Sequence, residues 1–315
     1  MKTATALNKE VIIGCAFNYC TEAVLPFLNS LQKSGFTGDL VLFINNKSNI
    51  EAGSYSFNLL LINPDVELKS ANKSIIFLRK VLNKLGAGTV LKSIVFRLVK
   101  ARLQKDRNFD PWLVSYFYSF YNLMTHRFFL YYYFLKQKRY TNVLFTDVTD
   151  VIFQKHPLAM TEGAGVHVFR ENEAFVVGDI IHNSRWIKEG FGEPVFRKMQ
   201  NEPIYCAGTI IAKDQTVFAF LKDFINIVLD CNISPRVEGI DQGVFNYMIS
   251  YLKKPYFCLH PNGEYVFTMD LQPQNEIVYA EGKLFMKGKE GTLPNIVHQY
   301  NRHEDLDLRI RKQFA

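Results

Sequence analysis

Two carboxylates three positions apart, Asp147 and Asp150, interrupt an apolar run in Asn142-Val143-Leu144-Phe145-Thr146-Asp147-Val148-Thr149-Asp150-Val151-Ile152-Phe153. A strand that ends on an acid and resumes as a second apolar run can turn both side chains toward one point. Carboxylates are hard oxygen donors suited to Mg2+ or Mn2+, ions that keep phosphate oxygens and water among their ligands. An acid at a strand end also commonly caps a helix, but no helix-like pattern follows these two at once. The cysteines Cys15, Cys20, Cys206, Cys231 and Cys258 include no C-x-x-C pair. That spacing argues against a zinc or dithiol redox site and for buried thiols in a reducing cytoplasm.

The elements that must position the acids are legible around them. Val11–Phe17 is a short apolar run, followed by Glu22–Lys33 with Val24, Leu25, Leu28 and Leu31 at helical spacing. Leu40–Ile44 and Phe57–Ile62 are further apolar runs closed by Asn45-Asn46 and Asn63-Pro64. Strand, helix and strand with turn residues between them predict an α/β sheet, the common scaffold of nucleotide sites. The chain carries neither G-x-G-x-x-G nor G-x-x-x-x-G-K-[ST], so dinucleotide and P-loop chemistry lack support. Residues 74–107 read as one or two helices. Within them Leu91, Ile94, Val95 and Leu98 oppose Lys92, Arg97, Lys100, Arg102, Lys105 and Arg107. This face is either solvated or a peripheral contact with an anionic membrane, at the inner face for a cytoplasmic protein. From Trp112 to Phe134, 12 of 23 residues are aromatic, predicting a buried helical sub-core or a membrane-facing lobe. No apolar run reaches the ~18 residues of a membrane span, and the polar Met1–Glu10 segment lacks the features of a signal peptide. A hydrophobic share of 48% with 21% charged residues excludes a disordered chain. The net charge of +7 suits an acidic partner without selecting one.

Four more stretches complete an ordered set: Phe128–Leu135 with Tyr140–Phe145 before the acids, then Ile204-Tyr205-Cys206-Ala207-Gly208-Thr209-Ile210-Ile211, Gly239-Ile240-Asp241-Gln242-Gly243-Val244-Phe245-Asn246, and Ile296-Val297-His298-Gln299-Tyr300. Together they resemble the GT-A superfamily of nucleotide-sugar-dependent glycosyltransferases, from Val11 to His303, in a motif order similar to glycosyltransferase family 8. The resemblance implies a D-x-D acidic motif, an "N-A-G" sugar-pocket strand, a "D-Q…N" helix start and a late histidine that completes a metal site. Asp147-x-x-Asp150 is one residue longer than D-x-D, with Asp150 in the second acid's place and Val148 in the first's. Cys206 stands where asparagine is common.

The implied fold is a single GT-A-type α/β domain, a central mostly parallel twisted sheet flanked by helices with an aromatic-rich helical insertion over 74–137. Residues 11–153 form its nucleotide-binding half, 154–303 the sugar and acceptor half, and 304–315 a C-terminal tail. The implied activity is metal-dependent transfer from a nucleotide sugar, a UDP-sugar, to a glycan or lipid-linked glycan, with retention favoured by the "D-Q…N" segment. Asp147, Asp150 and His298 would hold Mn2+ or Mg2+. Phe17, Asn18, Arg127, Thr146, Asp147, Val148 and Gly208 would bind the donor, and Asp241 and Gln242 would serve catalysis. Arg127 interrupts an apolar aromatic helix, so some anion should meet its guanidinium, either a donor phosphate or a structural carboxylate. Ala16-Phe17-Asn18-Tyr19 could stack on a base or pack as an ordinary loop. Asp241 could simply cap its helix. Two competing readings are weaker. A sugar nucleotidyltransferase would usually carry a glycine-rich basic loop near the N-terminus, which is absent. A nucleic-acid-binding protein would interleave exposed aromatics with basic residues, whereas here the aromatics cluster away from most charges.

Overall fold

The computed structural model describes residues 9–64, 66, 122–160, 163–231, 237 and 239–315. The predicted basic stretch 91–107, and the aromatic residues 112–121, lie outside them. The four apolar runs of the first half form parallel strands: β1 (Glu10–Cys15), β2 (Asp39–Phe43), β3 (Asn58–Ile62) and β4 (Asn142–Thr146). With β6 (Val166–Arg170), β7 (Tyr205–Lys213) and β8 (Phe257–His260) they make a seven-stranded sheet in the order β3-β2-β1-β4-β7-β6-β8. Only β7 is reversed, pairing antiparallel with both β4 and β6, while β6 and β8 run parallel. The chain is therefore α/β with a large mixed, mostly parallel sheet, and strands from both halves of the sequence share it.

Side-chain alternation assigns the two faces. Ile12, Leu42, Leu144 and Ile211 pack on one side with Val24, Phe27, Leu28 and Leu31 of helix α1 (Thr21–Lys33). Their strand neighbours Val11, Ile13, Phe43, Val143 and Phe145 pack on the other. That second face is covered by α2 (Leu123–Gln137) and α5 (Thr216–Asp230). The described part of the aromatic stretch is thus a buried sub-core. Phe128 stacks on Phe224 with centroids 4.0 Å apart, and Tyr131 on Phe145 at 4.9 Å. A helix enclosed between a sheet and another helix has no solvent face to keep polar, which explains why α2 shows no amphipathic stripe. Asn122 caps it, its side chain accepting from the Met124 N–H.

A three-stranded sheet adjoins the large one. In it β12 (Ile296–His298) lies between β5 (Val151–Phe153), antiparallel, and β9 (Val266–Thr268), parallel. Residues 304–315 are more than a tail: α7 (Glu304–Gln313) packs Leu306 and Ile310, with Phe314 beyond it, against Ile152, Phe267 and Val297. The remaining helices are α3 (Ile181–Phe191), α4 (Glu193–Met199) and α6 (Ile240–Asn246), the last continuing into a π-helical turn at Tyr247–Tyr251. Among the described residues no helix is long and apolar enough to cross a membrane.

Candidate metal centre

The site forms where β4 ends. Beyond Thr146 the chain leaves the large sheet and enters the small one as β5, so Asp147 and Asp150 bracket the crossing. Both ends of that loop are fixed by backbone bonds: Asp147 N–H donates to Gly208 O at 2.9 Å, and Gln299 N–H to Asp150 O at 2.7 Å. Because β7 runs antiparallel to β4, Gly208 sits beside the acids, and β12 brings in His298 from the opposite side. His298 Nε2 lies 3.4 Å from Asp147 Oδ2 and 3.8 Å from Asp150 Oδ2. One ligand atom from each of the three residues falls within 4.8 Å of the other two.

Three observations test this cluster as a cation site. His298 is fully buried, and its Nε2 makes no well-formed hydrogen bond but faces the Asp147 and Asp150 carboxylates, while the buried Asp150 Oδ1 has no partner. Leaving an atom such as Asp150 Oδ1 unpaired costs ~1–3 kcal/mol. A Cβ on Gly208 would stand 2.6 Å from Asp147 Oδ2 and would overlap the His298 ring, so only glycine leaves the cradle open. Two carboxylates and one imidazole form a hard-to-borderline donor set that fits Mn2+ or Mg2+. The three residues fit such an ion.

The electrostatics agree. Burial would raise the Asp147 pKa, but the Arg127 charge and His298 hold it well below the usual carboxylate range. Asp150 is shifted up by burial and by the Asp147 charge, against the pull of His298. Burial opposes a charged His298, but Cys206, Asp150 and Asp147 outweigh it and raise its pKa.

Behind Asp147 stands Arg127, 4% exposed. It pairs with Asp147, with Asp241 Oδ2 at 3.0 Å and with the Ala207 carbonyl at 3.2 Å. The anions that meet its guanidinium are therefore the protein's own carboxylates. Asp241 does not cap its helix, which begins at Gly239 without a side-chain cap. Buried, and repelled by Asp147, its pKa is pushed up to about 6 despite Arg127. The next residues of α6 complete the link. Gln242 Nε2 donates to Glu171 Oε1 at 2.8 Å, and its Oε1 accepts from Ala207 N–H at 3.4 Å. Asn246 Oδ1 accepts from Tyr205 N–H at 2.8 Å while its Nδ2 donates to Tyr205 O at 2.9 Å, clamping α6 to β7.

Other expected donor-binding residues are placed differently. Thr146 is buried and donates to the Asp147 carbonyl at 3.0 Å. Val148 is 3% exposed in the core under β1, where Gly14 gives it room: a Cβ there would meet Val148 Cγ2 at 2.5 Å. Phe17 is buried with its ring 5.9 Å from that of His126, whereas Asn18 is exposed at φ 64° and exchanges bonds with Asn45. These two follow β1 at the carboxyl end of the parallel strands, the end that holds Asp147, where open α/β sheets bind ligands.

Sequence reasoning missed Glu171. It directly follows strand β6 as Asp147 directly follows β4, and an acid closing a strand was the available signal. Burial raises its pKa, partly offset by the bond from Gln242. No family model matches the chain, and no curated protein matches it.

Proposed function

We propose that the chain is a GT-A-type glycosyltransferase, dependent on Mn2+ or Mg2+, that moves a sugar from a UDP-sugar to a glycan or lipid-linked glycan acceptor with retention of configuration. The observation that carries this reading is the convergence of Asp147, Asp150 and His298, with Asp150 Oδ1 unpaired, beside a glycine that leaves space for a ligand. The order of the parallel strands, with this cluster at their carboxyl end, supports it.

When bound, the cation supplies Lewis-acid stabilisation of the departing diphosphate. Asp147, Asp150 and His298 hold it. Gly208 keeps the approach open on the β7 side. Arg127 keeps Asp147 ionised and holds Asp241 at the start of α6. There the Asp241 carboxylate steadies positive charge developing on a donor sugar, and Gln242, fixed by Glu171 and Ala207, orients the sugar hydroxyls.

Isothermal titration with UDP in the presence and absence of Mn2+ tests the reading. UDP binding that requires Mn2+ is expected. Folded protein that binds neither Mn2+ nor UDP overturns it. A sugar-nucleotide panel scored by UDP release then identifies the donor.

A further inference from the structure

His298 has two ring nitrogens, and only one faces the acids. Its Nδ1 meets Cys206 Sγ at 3.4 Å, deep in the core, where Cys206 is 2% exposed. A nitrogen that binds a cation must present a lone pair, so when Nε2 is the ligand the ring proton sits on Nδ1 and donates to the sulphur. The partner of that second nitrogen fixes both tautomer and ring orientation at histidine metal sites, and is usually a carboxylate or a carbonyl. Here it is a thiol. We propose that Cys206 is the positioning residue of the metal centre, holding the His298 ring so that Nε2 points between Asp147 and Asp150.

The sulphur is itself held in place. It accepts from Gly208 N–H at 3.4 Å, and it lies beside the Glu171 carboxyl group, whose pKa it helps to lower. Glu171 in turn takes the Gln242 amide at 2.8 Å. A continuous path therefore runs from α6 through Gln242, Glu171 and Cys206 to the ligand histidine. Residue 206, in the position of a sugar-pocket asparagine, has its side chain turned to the metal side instead. The inference rests on the metal reading above and deepens it.

The test is Mn2+ titration calorimetry, with UDP present, on wild type, Cys206→Ala, Cys206→Val and Cys206→Ser, alongside thermal melts without metal. Loss of such a partner typically weakens metal affinity about 10–100-fold. Ala and Val should both fall in that range, although Val refills the thiol's volume. Ser restores an acceptor and should recover most of the affinity. Metal-free melting temperatures should not follow this ranking, because Val packs as well as Ser or better in an apolar core. Folded Val or Ala variants that bind Mn2+ within twofold of wild type overturn the proposal while leaving the metal reading intact. Wild-type protein that binds no Mn2+ overturns both.

Discussion

Gly208 and the two acids make different demands, and single substitutions separate them. Gly208→Ala places a methyl group 2.6 Å from Asp147 Oδ2 and against the His298 ring, so Mn2+ affinity should fall more than about tenfold as the ring and carboxylate are forced apart. Calorimetric titration of the variant checks this. Asp150→Ala should abolish Mn2+ binding and sugar transfer while the protein melts near the wild-type temperature. Asp150 is shifted toward its neutral form in the apo fold, and its Oδ1 is unpaired. Asp147→Ala should lose metal binding and stability together, because it strips one of two carboxylates from a buried guanidinium. A cost of about 2 kcal/mol is expected from the lost charge-assisted bond. Urea melts of the two aspartate variants, side by side, distinguish the roles. Equal stability of both would show that Asp241 alone suffices for Arg127.

Among the elements, the amino ends of the strands carry a second polar knot, away from the metal centre. Tyr140, just before β4, donates to Asp39 Oδ2 at 2.6 Å at the start of β2, with Asn58 and Lys9 also bonded to that carboxylate. Burial acts to raise the Asp39 pKa, but these donors outweigh it and lower it. A carboxylate depressed in the folded state contributes stability above its unfolded pKa of about 4, and loses it as pH falls through the folded value. Tyr140→Phe should therefore cost about 1–2 kcal/mol at neutral pH. That difference should shrink in melts below about pH 4, with Mn2+ affinity unchanged throughout. The strands and helices themselves were legible where apolar runs and turn residues coincide. Val11–Phe17, Leu40–Ile44 and Phe57–Ile62 became β1 to β3, and Glu22–Lys33 became α1. Asp147, Asp150, His298, Asp241 and Gln242 could be named because each stands in a recognisable local stretch. What joins them could not. Arg127 meets Asp241 across 114 residues, and Cys206 meets His298 across 92. Such pairings depend on β7 reversing beside β4 and on β12 threading between β5 and β9, and local periodicity carries no information on strand order. Val148 shows the same limit, since one residue's turn in the acidic loop sends it into the core instead of the site.

Over the whole molecule, charge and location remain to be joined to the fold. The chain has 37 Lys and Arg against 30 Asp and Glu. Six of those cations, Lys92, Arg97, Lys100, Arg102, Lys105 and Arg107, fall in 16 residues. Each basic residue near an anionic surface contributes about 1 kcal/mol, so four or five together would hold a protein reversibly at an anionic membrane. Co-sedimentation with phosphatidylserine vesicles is expected at low salt, and loss of it at high salt or when Lys92, Arg97, Lys100 and Arg102 become glutamine. Absence of binding at low salt would leave the basic stretch an ordinary solvated face.

The place of β12 in the small sheet governs when the Asp147–Asp150–His298 cluster can assemble. It is the middle strand, the last of its three in chain order, and it delivers His298 to Asp150 and Asp147, 148 and 151 residues earlier in the chain. During synthesis the parallel sheet of β1 to β4 can assemble on the ribosome, but the metal centre stays incomplete until the final strand docks. A nascent or prematurely terminated chain would expose the edge of β5 and carry two aspartates without their histidine. On the metal reading proposed above, cation capture would wait for β12 to dock, so added Mn2+ is expected to affect only the late phase of refolding.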